Sequence, residues 1–454
     1  MITVLKPNEN IIALLGDQEI KKNSEYRMMR YCIVDNSNDC ILVHNLITKE
    51  LIKLTRFEYE KLTCNSPYDD NISDFVKKWF MVPIEYDEYT ISNQVRTIFE
   101  ITRKKDYINV FTVYTTTECN ARCFYCYQNG MAKSSMTDDV ALATAEYISK
   151  VSKNNRVEIE WFGGEPLCNM RVINLITSQL KTKKINFISS MVSNGFLFNK
   201  ELVDRAKNEW NLKNIQITLD GTEPVYNRIK NYVCQNDEIN PFGKVCDNIK
   251  YLLKSGIKVC VRLNVYSGSF DDLNILSDFL IKEFSAFSNF KINVEIVQPN
   301  NIMKEYNVDE LEKLIRFRDS LHDLFEKKNL LRIWSIEREP IVDVCMMNND
   351  SMVAILPNGN ITKCADSIDA LVVGTVFDGK LHPDKISNLK KIRSYTEKCS
   401  QCAFYPDCIE LECCPSNIYP VCEPADVKEK ICYHKRQMRY THKKWMKEIH
   451  DKTS

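Results

Sequence analysis

At 454 residues and 53.0 kDa the chain is long enough for about three domains and a sizeable core, which excludes a small scaffold that depends on staples. Apolar residues at 44% and charged residues at 27% exclude disorder as the main state, and sixty-one basic residues offset sixty-one acidic ones, so no global field draws the chain to nucleic acid. No run of about 18 apolar residues predicts a membrane span. Residues Met1 to Glu19 lack the zones of a signal peptide, so a cytoplasmic chain is expected. Its 19 cysteines are then the anomaly, because a reducing compartment keeps no structural disulfides and directs such clusters to metal or redox chemistry. With only 6 histidines, all-thiolate sites are favoured over Cys/His zinc fingers.

Residues 1–105 read as a small separate module. Two apolar runs, Met28 to Val34 and Cys40 to Ile47, flank the polar stretch Asp35 to Asp39 and predict a hairpin. A third short strand, Leu51 to Leu54, precedes two helical patterns, one on Phe57, Tyr59 and Leu62 and one on Ile72, Phe75, Val76, Trp79 and Phe80. With Met81-Val82-Pro83 as its exit, this βββαα order looks like the winged-helix-like leader-peptide recognition domain of enzymes that modify ribosomally made peptides.

Over residues 106–300 strand patterns alternate with helical ones. The strands are Tyr107 to Tyr114, Val157 to Trp161, Ile185 to Val192, Ile215 to Leu219, Val259 to Val265 and Ile292 to Val297. The alternation predicts an α/β fold with a parallel sheet, an open or complete βα barrel, whose ligands belong at the C-terminal strand ends. Residues 301–340 carry an amphipathic helix, Val308 to Lys328, expected as a bridge. In residues 341–454 the cysteine density jumps: nine of the 19 lie between Cys345 and Cys432, which marks a third region built for clusters.

Cys119, Cys123 and Cys126 follow the first barrel strand. Three thiolates can hold three irons of a four-iron four-sulfur cluster and leave one iron open; a zinc knuckle that lacks a ligand is the bland alternative. The spacing Cys-x-x-x-Cys-x-aromatic-Cys, with Tyr125 in the aromatic slot, resembles the radical S-adenosylmethionine (SAM) enzymes, and so does Gly163-Gly164-Glu165-Pro166 at the end of the second strand. The resemblance implies a partial (βα)6 TIM-like barrel. It also implies SAM on the open iron, with the glycines letting the backbone approach and Glu165 meeting the methionyl ammonium. Looser matches are Ser193, Asn194, Asp220, Arg262 and Asn264, which would line the ribose, the carboxylate and the barrel mouth; taken alone, Ser193-Asn194-Gly195 is an ordinary turn.

Downstream, Pro357-Asn358-Gly359-Asn360 predicts a hairpin turn between Met352 to Leu356 and Ile361 to Lys363, which places Cys345 and Cys364 at its open end. Cys399, Cys402, Cys408, Cys413, Cys414, Cys422 and Cys432 follow, enough thiolates for further clusters, with a zinc ribbon as the alternative. The arrangement resembles the cysteine-rich SPASM domain of peptide-modifying radical enzymes. That resemblance implies one auxiliary cluster on Cys345, Cys364 and Cys414 and another on Cys399, Cys402, Cys408 and Cys432, three four-iron clusters in all. Cys413 and Cys422 remain alternatives to Cys414, and Asp366 is a weak candidate for a proton acceptor. The other cysteines, Cys32, Cys40, Cys64, Cys168, Cys234, Cys246 and Cys260, read as small core residues. The basic tail from His434 to Lys447 reads as the solvated face of a terminal helix.

Together these readings predict a maturase that installs a thioether, of the sactipeptide or ranthipeptide kind, in a cysteine-rich precursor peptide held by its leader. Flavodoxin or ferredoxin would supply electrons, and neither nucleic acid nor membrane would be a partner. Carbon–carbon crosslinking, epimerisation and formylglycine formation are rival reactions. An iron–sulfur electron carrier or peptide-binding scaffold is the rival from another class.

Overall fold

A computed structural model describes residues 2–7, 14–16, 18–36, 40–102, 105–130, 132–153, 155–233, 239–297, 306–332, 346, 349–364, 372–391, 401–407 and 433–453. The chain forms two compact units: Met1–Lys104 with Ser335–Cys345 and Ile392–Ser454, and Lys105–Trp334 with Met346–Lys391. Cys345, Asp366, Cys399, Cys408, Cys413, Cys414, Cys422 and Cys432 lie outside the described residues, as do Cys234 and most of the span from 333 to 348.

The first unit holds β1 (Thr3–Lys6), β2 (Glu25–Met28), β3 (Cys32–Asp35), β4 (Ile41–Asn45), β5 (Leu51–Leu54), β6 (Ser66–Pro67) and β7 (Met81–Pro83). The expected hairpin is β3 with β4, in register Cys32↔Asn45 through Asp35↔Leu42, and β5 and β1 continue that sheet. The run Met28 to Val34 is not one strand. It turns at Arg30 and Tyr31, so that β2 leaves for a second sheet in the order β6-β2-β7. The apolar character continues through the turn because Met29 and Tyr31 are both buried, which hides the break from a periodicity argument. Met81-Val82-Pro83 is likewise a strand, paired antiparallel with β2, rather than a plain exit.

The helical patterns form as Arg56–Thr63, closed by a capping box on Thr55 and Glu58, and as Ser73–Lys77. Sequence reading did not anticipate β1 or the helix Glu88–Thr102. Glu88 is almost fully buried. It accepts from Arg27 at 2.9 Å and from the Arg30 backbone N–H at 2.6 Å, pinning the start of that helix to the turn between β2 and β3. The terminal helix Tyr433–Thr453 buries Trp445 and Met446 in the same core as Val43, Ile52 and Tyr405, so its inner face is structural.

In the second unit six parallel strands run in sequence order: β8 (Val110–Thr116), β9 (Val157–Gly163), β10 (Phe187–Ser193), β11 (Leu212–Thr218), β12 (Lys258–Val265) and β13 (Phe290–Ile296). Helices Asp138–Val151, Met170–Thr182, Lys200–Asn208, Pro241–Lys254, Phe270–Phe284 and Val308–Lys327 follow them in turn. The sheet does not close. Beyond β8 it continues through β14 (Met352–Ile355), β15 (Asn360–Thr362), β16 (Val372–Thr375) and β17 (Lys380–Leu381). β14 is parallel to β8 and turns at Gly359, φ 84°, into antiparallel β15, as the Asn-Gly pair predicted.

Side chains alternate across the sheet. Phe111, Val113, Ile159, Trp161, Ile217, Val261 and Val294 are buried on one face, where the Phe111 ring meets Tyr147 of the first barrel helix. Thr112, Glu160, Gln216, Arg262, Asn264 and Glu295 occupy the other face. That polar face and the C-terminal strand ends are where a βα sheet of this kind carries its ligands.

Candidate active site

The loop after β8 carries the three cysteines, and short backbone bonds shape it: the Cys126 N–H donates to the Cys123 carbonyl at 3.2 Å, and Asn129 to that of Cys126 at 3.1 Å. The loop is fastened from outside as well. Arg122 N–H donates to the Lys230 carbonyl at 2.7 Å and Val233 N–H to the Asn120 carbonyl at 2.9 Å. Ala121 N–H points at the Cys119 sulfur, 3.4 Å away. Burial pushes the Cys119 thiol up to about 11 and raises Cys123 as well, so both are neutral thiols unless a cation draws off their protons. Among the described residues no three His, Cys, Asp or Glu side chains are grouped closely enough to hold a metal ion, and the three thiols stand spaced along one loop.

The glycines at the end of β9 meet this loop backbone to backbone. Gly163 has φ 135°, and a Cβ there would overlap the Thr116 carbonyl; a Cβ on Gly164 would overlap that of Glu118. Gly164 N–H donates to Thr116 at 3.0 Å and Glu165 N–H to Glu118 at 2.9 Å, which locks the two loops together. Glu165 is fully buried. It accepts from Leu167 N–H at 3.2 Å, from the Ser193 hydroxyl at 3.0 and 3.1 Å and from Asn194 N–H at 2.8 Å. Burial pushes its carboxyl up to about 7, against the lowering effect of those donors. Pro166 opens the short turn Pro166–Asn169, and its carbonyl accepts from Thr115 at 3.0 Å. Asn194 also reaches the cysteine loop, donating to Asn120 at 2.7 Å.

Tyr125 points into a second buried group. Its hydroxyl donates to both oxygens of Asp220, at 2.7 and 2.8 Å. Asp220 also accepts from Asn264 at 2.9 Å, and Asn264 in turn accepts from Arg262 Nε at 2.9 Å. Hence every residue expected at the barrel site lies in one connected shell. Lys230 was not foreseen: its ammonium stands 2.8 Å from Asp220 and 3.2 Å from the Tyr125 hydroxyl, with both ion-pair partners buried. Burial alone would lower Lys230, yet Asp220, Cys123, Tyr125 and Tyr226 raise it well above the usual lysine range. In the sequence Lys230 is a cation in the last turn of the helix Glu223–Lys230, where dipole and solvent ordinarily explain it.

Two of the cysteines read as core residues differ from that reading. Cys168 is exposed in the turn after Pro166, and Cys64 is exposed where it ends the helix Arg56–Thr63; Cys32, Cys246 and Cys260 are buried. Cys364 follows β15 directly, and Cys402 lies in the other unit.

Residues 113–278 match the model of the radical SAM superfamily, and that span holds all three cysteines, Glu165, Asp220 and Lys230. The chain carries a radical SAM domain. The radical SAM cyclopropyl synthase TigE of Paramaledivibacter caminithermalis is 23% identical over 316 residues, which is 61% of this chain and 63% of TigE, so the likeness spans less than two thirds of that relative. Among solved structures, anSMEcpe with bound AdoMet superposes with a TM-score of 0.57 at 15% identity, over 73% of this chain and 95% of that one. Streptococcus suis SuiB bound to precursor peptide SuiA gives a TM-score of 0.53 at 14% identity, over 89% and 100%. These structures share the radical SAM fold with this chain. No helix among the described residues is long and apolar enough to cross a membrane.

Proposed function

We propose that this radical SAM protein modifies a ribosomally made precursor peptide and that its product is a thioether between a cysteine sulfur and a carbon of the same peptide. The observation that carries the reading is the shell that joins three loop thiols, the buried Glu165 carboxylate and the buried Lys230–Asp220 pair at the ends of β8 to β12. The donor set fits a four-iron cluster with one open iron, because no fourth side chain competes within the cysteine loop. When bound, cluster and SAM supply a 5'-deoxyadenosyl radical able to take hydrogen from an unactivated carbon.

The residues of this chain do the rest. Cys119, Cys123 and Cys126 would hold the cluster. Glu165, kept dry and aimed by Ser193, Leu167 and Asn194, would meet the cofactor's ammonium, and Lys230 would offer the positive charge that the cofactor's carboxylate needs. Gly163 and Gly164 bring the backbone against the same pocket, and Tyr125 is fixed by Asp220 beside it. The precursor peptide bound in the SuiB structure, and the Cp18Cys peptide bound in a structure of anSMEcpe, support a peptide substrate. The leader would add as a strand beside β3, which ends the four-stranded order. Cys364, with Cys345 and Cys414, would hold one auxiliary cluster, and Cys399, Cys402, Cys408 and Cys432 another. These would take up the electron left over when the carbon–sulfur bond forms, whereas an external flavodoxin or ferredoxin would supply the separate electron that reduces the barrel cluster.

The test is anaerobic co-expression with the short cysteine-rich reading frame nearest the gene. A thioether lowers the peptide mass by two hydrogens per link and removes a cysteine from alkylation. A peptide that returns unmodified, or one carrying an aldehyde in place of a cysteine, would refute thioether formation.

A further inference from the structure

Arg262 stands on the polar face of β12, level with Thr218 of β11 and Asn293 of β13, and is only half-buried. Its Nε is used, donating to Asn264 at 2.9 Å. Its two terminal amino groups have no hydrogen-bond or ion-pair partner among the described residues. The neighbouring charges are accounted for. Arg332 donates to Gln216 at 3.4 Å, Asp220 is held by Lys230, and Glu295, opposite Asn264, has a partner of its own. A guanidinium is never neutral, and holding one out of bulk water without an anion is costly. Its free edge has the planar fork that suits a carboxylate.

We propose that Arg262 anchors a carboxylate of the substrate peptide beside the reacting carbon. The idea rests on the peptide reading above and narrows it to substrates that carry an acidic residue, or a free C-terminus, at the modified position. Two cations then serve two carboxylates: Lys230 the cofactor's, Arg262 the substrate's. Because Arg262 also holds Asn264, and Asn264 holds Asp220, an occupied fork stiffens the shell behind Tyr125 as well. Arg262 is in this sense a specificity-determining residue.

The probe is saturation-transfer NMR on the full-length, anaerobically reconstituted protein with SAM and without reductant, so that no turnover contributes. The ligands are the N-methylamides of N-acetylaspartate, N-acetylglutamate and N-acetylasparagine, together with N-acetylalanine, which carries a free C-terminal carboxylate. Binding of the acidic side chains but not of the asparagine ligand supports a side-chain carboxylate; preference for N-acetylalanine supports a chain terminus. In either case Arg262→Gln weakens the preferred ligand at least tenfold, and Arg262→Lys keeps part of the affinity. Equal binding of the aspartate and asparagine ligands overturns the proposal. So does an Arg262→Gln protein that binds the anion unchanged, or one whose only defect is a tenfold loss of SAM affinity. Anion binding without peptide modification would instead sink the maturase reading and leave Arg262 as a carboxylate site alone.

Discussion

Glu165 concentrates the chemistry of the proposed cofactor pocket in one side chain. Its folded value, about 7, lies above that of an unfolded glutamate, so the protein without cofactor loses stability as pH rises from about 4.5 to about 7 and the buried carboxyl ionises. An ammonium ligand needs the ionised form. SAM affinity is therefore expected to rise about tenfold per pH unit up to about 7 and then level off, read by calorimetry on the reconstituted protein, and Glu165→Gln flattens that profile. Lys230 gives a second expectation. Lys230→Met leaves Asp220 buried without its cation and costs about 3–5 kcal/mol, whereas adding Asp220→Asn returns much of the stability but not SAM affinity, as thermal melts paired with calorimetry would show. At this scale sequence legibility depended on spacing. The three cysteines and Gly-Gly-Glu-Pro are close in sequence and chemically distinctive, so both could be read. Lys230 joins the shell only because the helix Glu223–Lys230 folds its end under the cysteine loop, and nothing in the sequence separates it from a surface lysine.

Strands and helices carry the site to its place, and two elements can be tested directly. The end of β9 needs glycine because two backbones touch there. Gly164→Ala forces the Glu118 carbonyl away and is expected to cost about 1–3 kcal/mol and to cut iron retention after reconstitution, whereas Gly256→Ala, at a distant turn with open space around it, spares the iron. The terminal helix Tyr433–Thr453 meets the first sheet through imidazoles: His44 and His442 face each other with Nδ1 atoms 3.3 Å apart, both buried, and the His44 ring lies 4.5 Å from Trp445. Burial lowers His442 to about 3 and His44 well below its usual range, with Lys49 and Lys6 adding to the effect on His44. A folded value below the unfolded one stabilises at high pH and fails as pH falls. Docking should therefore weaken below about pH 6.5 by about 1.4 kcal/mol per pH unit for each imidazole. Hydrogen exchange over residues 442–453, corrected for intrinsic rates, reads this, and His442→Gln halves the slope. The barrel strands were legible as β-branched runs because their helix-facing residues are uniformly apolar. The break inside Met28 to Val34 was not, since the turn residues between β2 and β3 are themselves core.

At the scale of the whole molecule, three cysteines lie together in the loop after β8 and nine of the 19 lie between Cys345 and Cys432. The proposed count is three clusters, so substitution of Cys119, Cys123 and Cys126 together by alanine should remove about four irons and leave the remainder in place, measured by iron and sulfide analysis. β14 pairs with the free side of β8, so the hairpin that precedes Cys364 is built onto the edge of the barrel. Composition and charge fixed the class of molecule early but could say nothing of the polar sheet face, which exists only once six strands spread over residues 110–296 are laid side by side. The central claim is that the three loop thiols leave one iron free for SAM. Its most direct measurement is 5'-deoxyadenosine, followed by liquid chromatography, after the anaerobically reconstituted protein is mixed with dithionite and SAM. The wild-type chain is expected to form it and the triple alanine variant to form none. A wild-type protein that holds its full iron and yields no 5'-deoxyadenosine would contradict the claim.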